Sequence, residues 1–216
     1  ASVVFPGSAP NNHLIWESLF SMGDKQAAWS YWEARFDCID APQRIGLPPK
    51  KWQKDDSSKE TLLVCSEQGI GDEILYLSCL PDLLRDHTAI VVECDSRWKK
   101  LFERSFPSIK VVPRQVDYKN DKEIFYDYRE VVAENNINSY VLNGDLPAFY
   151  RYSLCESVSS GGYLQADPVR IKKFECVLGK ISKSTLIGIC WRSAFSEPVS
   201  FIYAKLDELI SCLPEG

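Results

Sequence analysis

The sequence predicts an α/β fold: a Rossmann-like parallel sheet preceded by a helical hairpin. Two observations carry this reading. Short, continuous apolar runs at Thr61–Cys65, 89–94 and 109–112 alternate with segments of helical periodicity, and that alternation is the signature of strand–helix–strand units. The runs do not alternate apolar with polar residues, which fits strands buried on both faces of a parallel sheet.

The elements follow in order. Leu14, Ile15, Leu19 and Phe20 have helical spacing, Gly23 and Asp24 interrupt it, and Ala27, Ala28, Tyr31, Trp32 and Arg35 resume it. Residues 1–41 therefore read as a helical hairpin whose aromatic side chains pack. Pro48 and Pro49, followed by a Lys- and Ser-rich stretch, make 42–60 read as a linker. The body spans 61–184. It opens with strand 61–65, turns through Glu67-Gln68-Gly69-Ile70-Gly71, and enters a helix at Asp72 carrying Ile74, Leu75, Leu77, Leu80, Leu83 and Leu84. Strand 89–94, helix 97–106 (stopped by Pro107) and strand 109–112 complete two right-handed crossovers.

Beyond residue 113 the signal weakens. Residues 113–138 are polar with scattered Tyr and Phe, and one helix is expected around 128–134. A short strand at 139–142 and a loop or helix over 146–157 come next. Asp167 and Pro168 have the character of a helix start, and that helix is expected to reach residue 179. A buried strand at 185–191 and an amphipathic helix at 204–213 would open a second domain, 185–216.

Composition excludes several classes. Twenty-five Lys and Arg against 30 Asp and Glu leave a net charge of −5, so no broad footprint for nucleic acid is expected. No apolar run approaches the roughly 20 residues of a membrane span. Residues 1–7 lack the features of a signal peptide, and the absent initiator Met points to a processed or excerpted chain. Eight cysteines without a CxxC, and only two histidines (His13 and His87), point away from a disulfide framework or a metal site. Cys65 and Cys190 lie in apolar runs, where a free thiol acts as a small hydrophobe. A cytoplasmic, reducing location is expected.

The turn after the first body strand is the best candidate site, because ligands of open parallel sheets gather at the carboxyl ends of strands. Gly69 and Gly71 let a backbone approach closely, and Asp72 stands at the start of the following helix. Asp72 can be read as a helix cap or as a carboxylate that accepts a proton from a substrate hydroxyl. A phosphate-binding GxxxxGK[ST] loop is absent, and GxGxxG has Ile74 in place of its third glycine. Glu67-x-Gly69-x-Gly71, with Glu93 or Asp95 after the second strand, resembles the pattern of S-adenosylmethionine-dependent methyltransferases. Asp72 departs from that pattern, which usually has a small residue there.

Four segments in order carry a second resemblance: Trp32-Glu33-Ala34-Arg35-Phe36, Glu67-Gln68-Gly69-Ile70-Gly71-Asp72-Glu73-Ile74, Tyr163-Leu164-Gln165-Ala166-Asp167-Pro168 and Ile187-Gly188-Ile189-Cys190-Trp191-Arg192-Ser193. From about residue 23 onward they resemble bacterial proteins in which tetratricopeptide repeats precede a heptosyltransferase-like domain of glycosyltransferase family nine. The resemblance implies a GT-B glycosyltransferase that holds a nucleotide-sugar between two Rossmann-like domains, with no metal or cofactor required. It carries the general-base role to Asp72, loop-shaping and substrate contacts to Glu67, Gln68, Gly69 and Gly71, and donor contacts to Trp191, Arg192 and Ser193. The implied partners are a nucleotide-sugar and a sugar or protein acceptor. Residues 194–203 carry no basic residue, a departure from the family. A two-domain enzyme needs more than 216 residues, so an acceptor-side domain with weak or absent transferase activity is expected. A third reading is a protein-interaction module that docks a partner through the hairpin.

Overall fold

The computed structural model describes residues 9–37, 42–56, 60–67, 69–119, 123–151, 162–179, 188–189 and 206–212. It divides into two compact units, Ala1–Asp167 and Pro168–Gly216. The division falls after Asp167, where the sequence placed a boundary at 184/185. The second unit contributes α8 (Pro168–Leu178) and α9 (Leu206–Ser211); Val169, Phe174 and Val177 of α8 are exposed. Of the expected strand 185–191, Gly188 and Ile189 are described and neither is in a strand; the rest of it, with Gln68, Trp191, Arg192 and Ser193, lies outside the described residues.

The first unit is α/β, with a parallel five-stranded sheet at its centre. The chain runs α1 (Ala9–Ser21), α2 (Lys25–Trp29), a 3₁₀ turn at Trp32–Asp37, β1 (Gln43–Ile45), β2 (Lys50–Lys51), β3 (Thr61–Cys65), α3 (Ile70–Tyr76), α4 (Leu80–Asp86), β4 (Ile90–Cys94), α5 (Lys99–Ser105), β5 (Lys110–Pro113), β6 (Asp117–Lys119), β7 (Glu123–Asp127), α6 (Arg129–Asn135), β8 (Ile137–Leu142) and α7 (Leu146–Tyr150). The main sheet has the order β2-β8-β3-β4-β5, all neighbours parallel.

Its central strands β3 and β4 are almost wholly buried and largely apolar because both faces are covered. On one face Leu62, Val64, Val92, Cys94 and Val141 pack against Leu77, Leu80, Leu83, Phe102 and Leu146. On the other, Leu63, Cys65 and Val91 meet Tyr126, Tyr128 and Leu142. A register shift in the β3–β8 pairing between Thr61 and Leu62 offsets β8, so Ile137 faces the second cluster and Val141 the first. Cys65, Cys79 and Cys94 are free and buried; burial pushes the Cys79 thiol up to about 11 and keeps it protonated near neutrality.

The segment read as a linker is part of the sheet architecture. β2 pairs with β8 through Lys50–Ser139 and Lys51–Tyr140, and Trp52 immediately after it is buried in the first cluster. Pro48 and Pro49 do stop regular pairing, but only between β1 and β2. Gly46 turns the chain there at φ +77°, and any Cβ on it would overlap Arg129. β1 joins a second, three-stranded sheet, β1-β7-β6, parallel to β7, while β6 and β7 run antiparallel. These strands fill the stretch that the sequence left mostly unassigned.

The single helix expected from Asp72 is two helices, α3 and α4, separated by a 3₁₀ turn at Leu77–Cys79. Pro81 explains the break: it lacks the N–H that would continue the ladder and its ring crowds the preceding turn. The hairpin also differs from its expected form, since its second helix ends at Trp29 and a 3₁₀ turn carries Trp32 and Arg35.

Candidate functional site

At the carboxyl edge of the sheet, β3 ends in Ser66 and Glu67, and the loop reaches α3 at Gly69, the residue before its first helical position. Asp72 sits in the first turn of α3 and reaches back, its Oδ2 accepting the Gly69 N–H at 3.1 Å. That bond satisfies one of the amides a helix start leaves unpaired. Asp72 is half-buried, and its Oδ1 has no hydrogen bond among the described residues. Gly71 is exposed, with open space where a side chain would stand.

Glu67 occupies a different environment from the one expected of a substrate contact. It is buried and bridged by Arg35, whose Nε and Nη2 donate to Oε2 and Oε1 at 3.0 and 2.9 Å. The same guanidinium donates to Asp145 Oδ1 at 2.5 Å and to the Trp32 carbonyl at 3.0 Å. It lies over the rings of Trp32 and Phe36 at 4.3 and 3.9 Å. Trp32 Nε1 donates to the Gly144 carbonyl at 2.7 Å. At Gly144 a Cβ would overlap the Glu67 carboxylate, so this close approach requires glycine. Lys51 adds an ion pair to Asp145 at 3.1 Å and one to Glu33 at 2.8 Å. Burial works against the Lys51 ammonium, but Asp145 and Glu33 hold its pKa above the ordinary value. Glu67 therefore fastens the hairpin to the sheet edge, and its carboxylate is committed.

A second polar cluster lies one strand over. Glu73 of α3 is fully buried; it accepts hydrogen bonds from Ser66 Oγ and from the Asp95 N–H at 2.9 Å, and pairs with Arg114 at 3.3 Å. Burial raises its pKa above the usual carboxylate value. Glu93, inside β4, is also buried; its Oε2 accepts the Ser66 N–H at 2.8 Å and the Tyr128 hydroxyl at 3.0 Å. Burial pushes its pKa up to about 7. Arg44 and Arg114 both lie over the Tyr126 ring, at 5.5 and 5.6 Å, and both donate to Ser66.

The two acidic residues of the methyltransferase-like pattern, Glu93 and Asp95, are both engaged by neighbouring groups. Asp95 is held by Arg97 through two bonds of 2.8 Å, which, chiefly through that hydrogen bonding, lower its pKa to about 2. Glu93 lines a cavity of about 160 Å³ together with Leu63, Val112 and Tyr128, and neither Gly69 nor Gly71 lines it. Sequence reasoning missed Arg35, Glu73, Arg114 and Asp145. An arginine set between Trp32 and Phe36 was the one visible hint of a buried guanidinium. Among the described residues, no group of three or more His, Cys, Asp or Glu side chains is arranged to hold a metal ion, and no helix is long and apolar enough to cross a membrane.

Fold and edge together define a Rossmann-like α/β domain with a helical hairpin fastened over the carboxyl end of its first body strand. No family model matches the chain. It is similar to protein FlbA of Caulobacter vibrioides, 26% identical over 181 residues, a match covering 81% of this chain and 30% of FlbA. The chain thus spans under a third of that relative's length. No solved structure matches it.

Proposed function

We propose that this chain is the acceptor-side domain of a GT-B-type glycosyltransferase that moves a sugar from a nucleotide-sugar to an acceptor hydroxyl. The observation that carries the reading is the Gly69-Ile70-Gly71-Asp72 loop at the carboxyl end of β3, with Asp72 half-buried and, among the described residues, its Oδ2 alone engaged. The resemblance to heptosyltransferase-like domains supports the same role. Asp72 Oδ1 takes the proton as the acceptor oxygen attacks the anomeric carbon, and the bond to the nucleoside diphosphate breaks with inversion. The loop amide of Gly69 holds the carboxylate in place, and the open surface at Gly71 admits the acceptor. Trp191, Arg192 and Ser193 remain the donor-side contacts that the resemblance implies, and no cofactor enters the reaction.

The methyltransferase alternative is less well supported, because the described cavity that Glu93 lines takes in neither Gly69 nor Gly71 and Asp72 fills the place of a small residue. The test is Asp72→Asn, followed as nucleoside diphosphate release in a form of the protein that turns over nucleotide-sugar. Turnover should drop about 10²–10⁴-fold, with acceptor affinity held within a few-fold. Unchanged turnover at saturating substrates removes Asp72 from the mechanism.

A further inference from the structure

Glu93 stands in a strand position that suits an apolar side chain. Its neighbours on the same face of the sheet are Val91 and Leu63, and its registered partner on β5 is Val112. A carboxylate there is costly unless something compensates it. Among the described residues no cation lies within ion-pair distance of it, and both of its hydrogen bonds fall on Oε2. Oε1 has no described donor.

Glu93 also lines the 160 Å³ cavity, whose walls include Leu63, Val112 and Val131. A space of about 150 Å³ accommodates one six-membered ring. Two further carboxylates, Glu130 and Glu134, line it from α6, one helical turn apart and exposed. No Lys or Arg side chain is among the described lining residues. Arg129, next in sequence, is held by Asp127 through a bond of 2.9 Å from its Nε. Apolar walls with a few convergent polar groups of one sign are what a small-molecule site requires.

We propose that this cavity binds a small organic cation, a primary ammonium on a ring-sized apolar body, with the ammonium between Glu93 and the carboxylates of Glu130 and Glu134 and the body against Leu63, Val112 and Val131. The site is distinct from the Asp72 loop and does not depend on the transferase reading. The groups that face or influence Glu93 are the Ser66 N–H, the Tyr128 hydroxyl, the Arg44 and Arg114 guanidinium groups and the thiols of Cys65 and Cys94, with Asp127, Glu130 and Glu134 around the cavity. With burial dominating and the carboxyl titrating at about 7, the ionised fraction grows about tenfold between pH 6 and 8. Affinity for an amine that stays protonated across that range should grow with it.

The experiment is a titration of the chain with benzylamine, benzyl alcohol and benzoate, followed by calorimetry and by amide chemical shifts of α6. Benzylamine should bind saturably, at least tenfold more tightly than benzyl alcohol at pH 8, and benzoate more weakly than either. Glu93→Gln should reduce benzylamine affinity about tenfold and remove its pH dependence, and Val131→Phe should abolish binding by filling the space. The paired substitution Glu130→Gln and Glu134→Gln lies on the exposed helix surface and tests the charge without disturbing the core; it should weaken benzylamine and leave benzyl alcohol unchanged. Absence of saturable benzylamine binding, equal affinities for amine and alcohol, or full binding by the Val131→Phe variant overturns the proposal.

Discussion

Two buried glutamates stand near the carboxyl ends of neighbouring parallel strands, and the chain treats them in opposite ways. Glu67, just past β3, is gripped by the Nε and Nη2 edge of Arg35. Glu93, in β4, has no such partner among the described residues and accepts from an amide and a phenol. A bidentate guanidinium holds the Glu67 carboxylate in one place, whereas at Glu93 two neutral donors leave desolvation dominant and the carboxyl titrating at about 7. One glutamate is therefore a fixed joint between elements, and the other is a group whose charge varies near neutral pH.

The sharpest way to break this contrast is to remove the grip. Arg35→Ala leaves Glu67 and Asp145 buried without their shared cation, and should cost about 3–5 kcal/mol in chemical denaturation. Adding Glu67→Gln should recover part of that loss, which a double-mutant cycle reads as coupling. Little coupling would mean that Arg35 stabilises mainly by stacking between Trp32 and Phe36.

Glu93→Gln comes next and acts with the opposite sign. The Glu93 pKa is raised on folding, so the native state holds more protons between the ordinary carboxylate value and about 7, and stability falls as pH rises through that window. The amide can accept from Ser66 and Tyr128 without ionising. The variant should match the wild type near pH 4 and gain up to about 3 kcal/mol at pH 8; parallel pH–stability curves would contradict this.

Gly144→Ala drives a methyl into the Glu67 carboxylate and should cost about 1–3 kcal/mol, measurable as a lower denaturation midpoint with an unchanged slope. Smallest is Lys51→Ala. Its ion pairs with Asp145 and Glu33 are partly solvated, so a loss of about 1 kcal/mol or less is expected, and added salt should shrink it further.

What the sequence made legible follows from range. β3, β4, β5 and β8 announce themselves because burial in the sheet writes short, mostly apolar runs such as TLLVC and IVVEC. β1 and β2 are three and two residues long and exist only through partners about 80 to 90 residues away, so no local pattern marks them. The Gly69-to-Asp72 loop was readable as a sheet-edge turn. The commitment of Glu67 was not, because its partner lies 32 residues upstream on a turn that the helical spacing of Ala28, Trp32 and Arg35 disguised as an ordinary helix. Glu93 was visible as an acid in an apolar run, but its hydrogen bonds to Ser66 and Tyr128, 27 and 35 residues away, depend on strand register.

The Arg35–Glu67 joint also bears on how such a domain is inherited. Helical segments placed ahead of an α/β domain can be gained, lost or exchanged when the junction between them is indifferent to sequence. Here the junction is a buried ion pair with a tryptophan on a carbonyl beside it. Whatever is spliced upstream, recombination has to fall before Trp32, so that the last turn of the hairpin and the loop after β3 travel as one unit of descent.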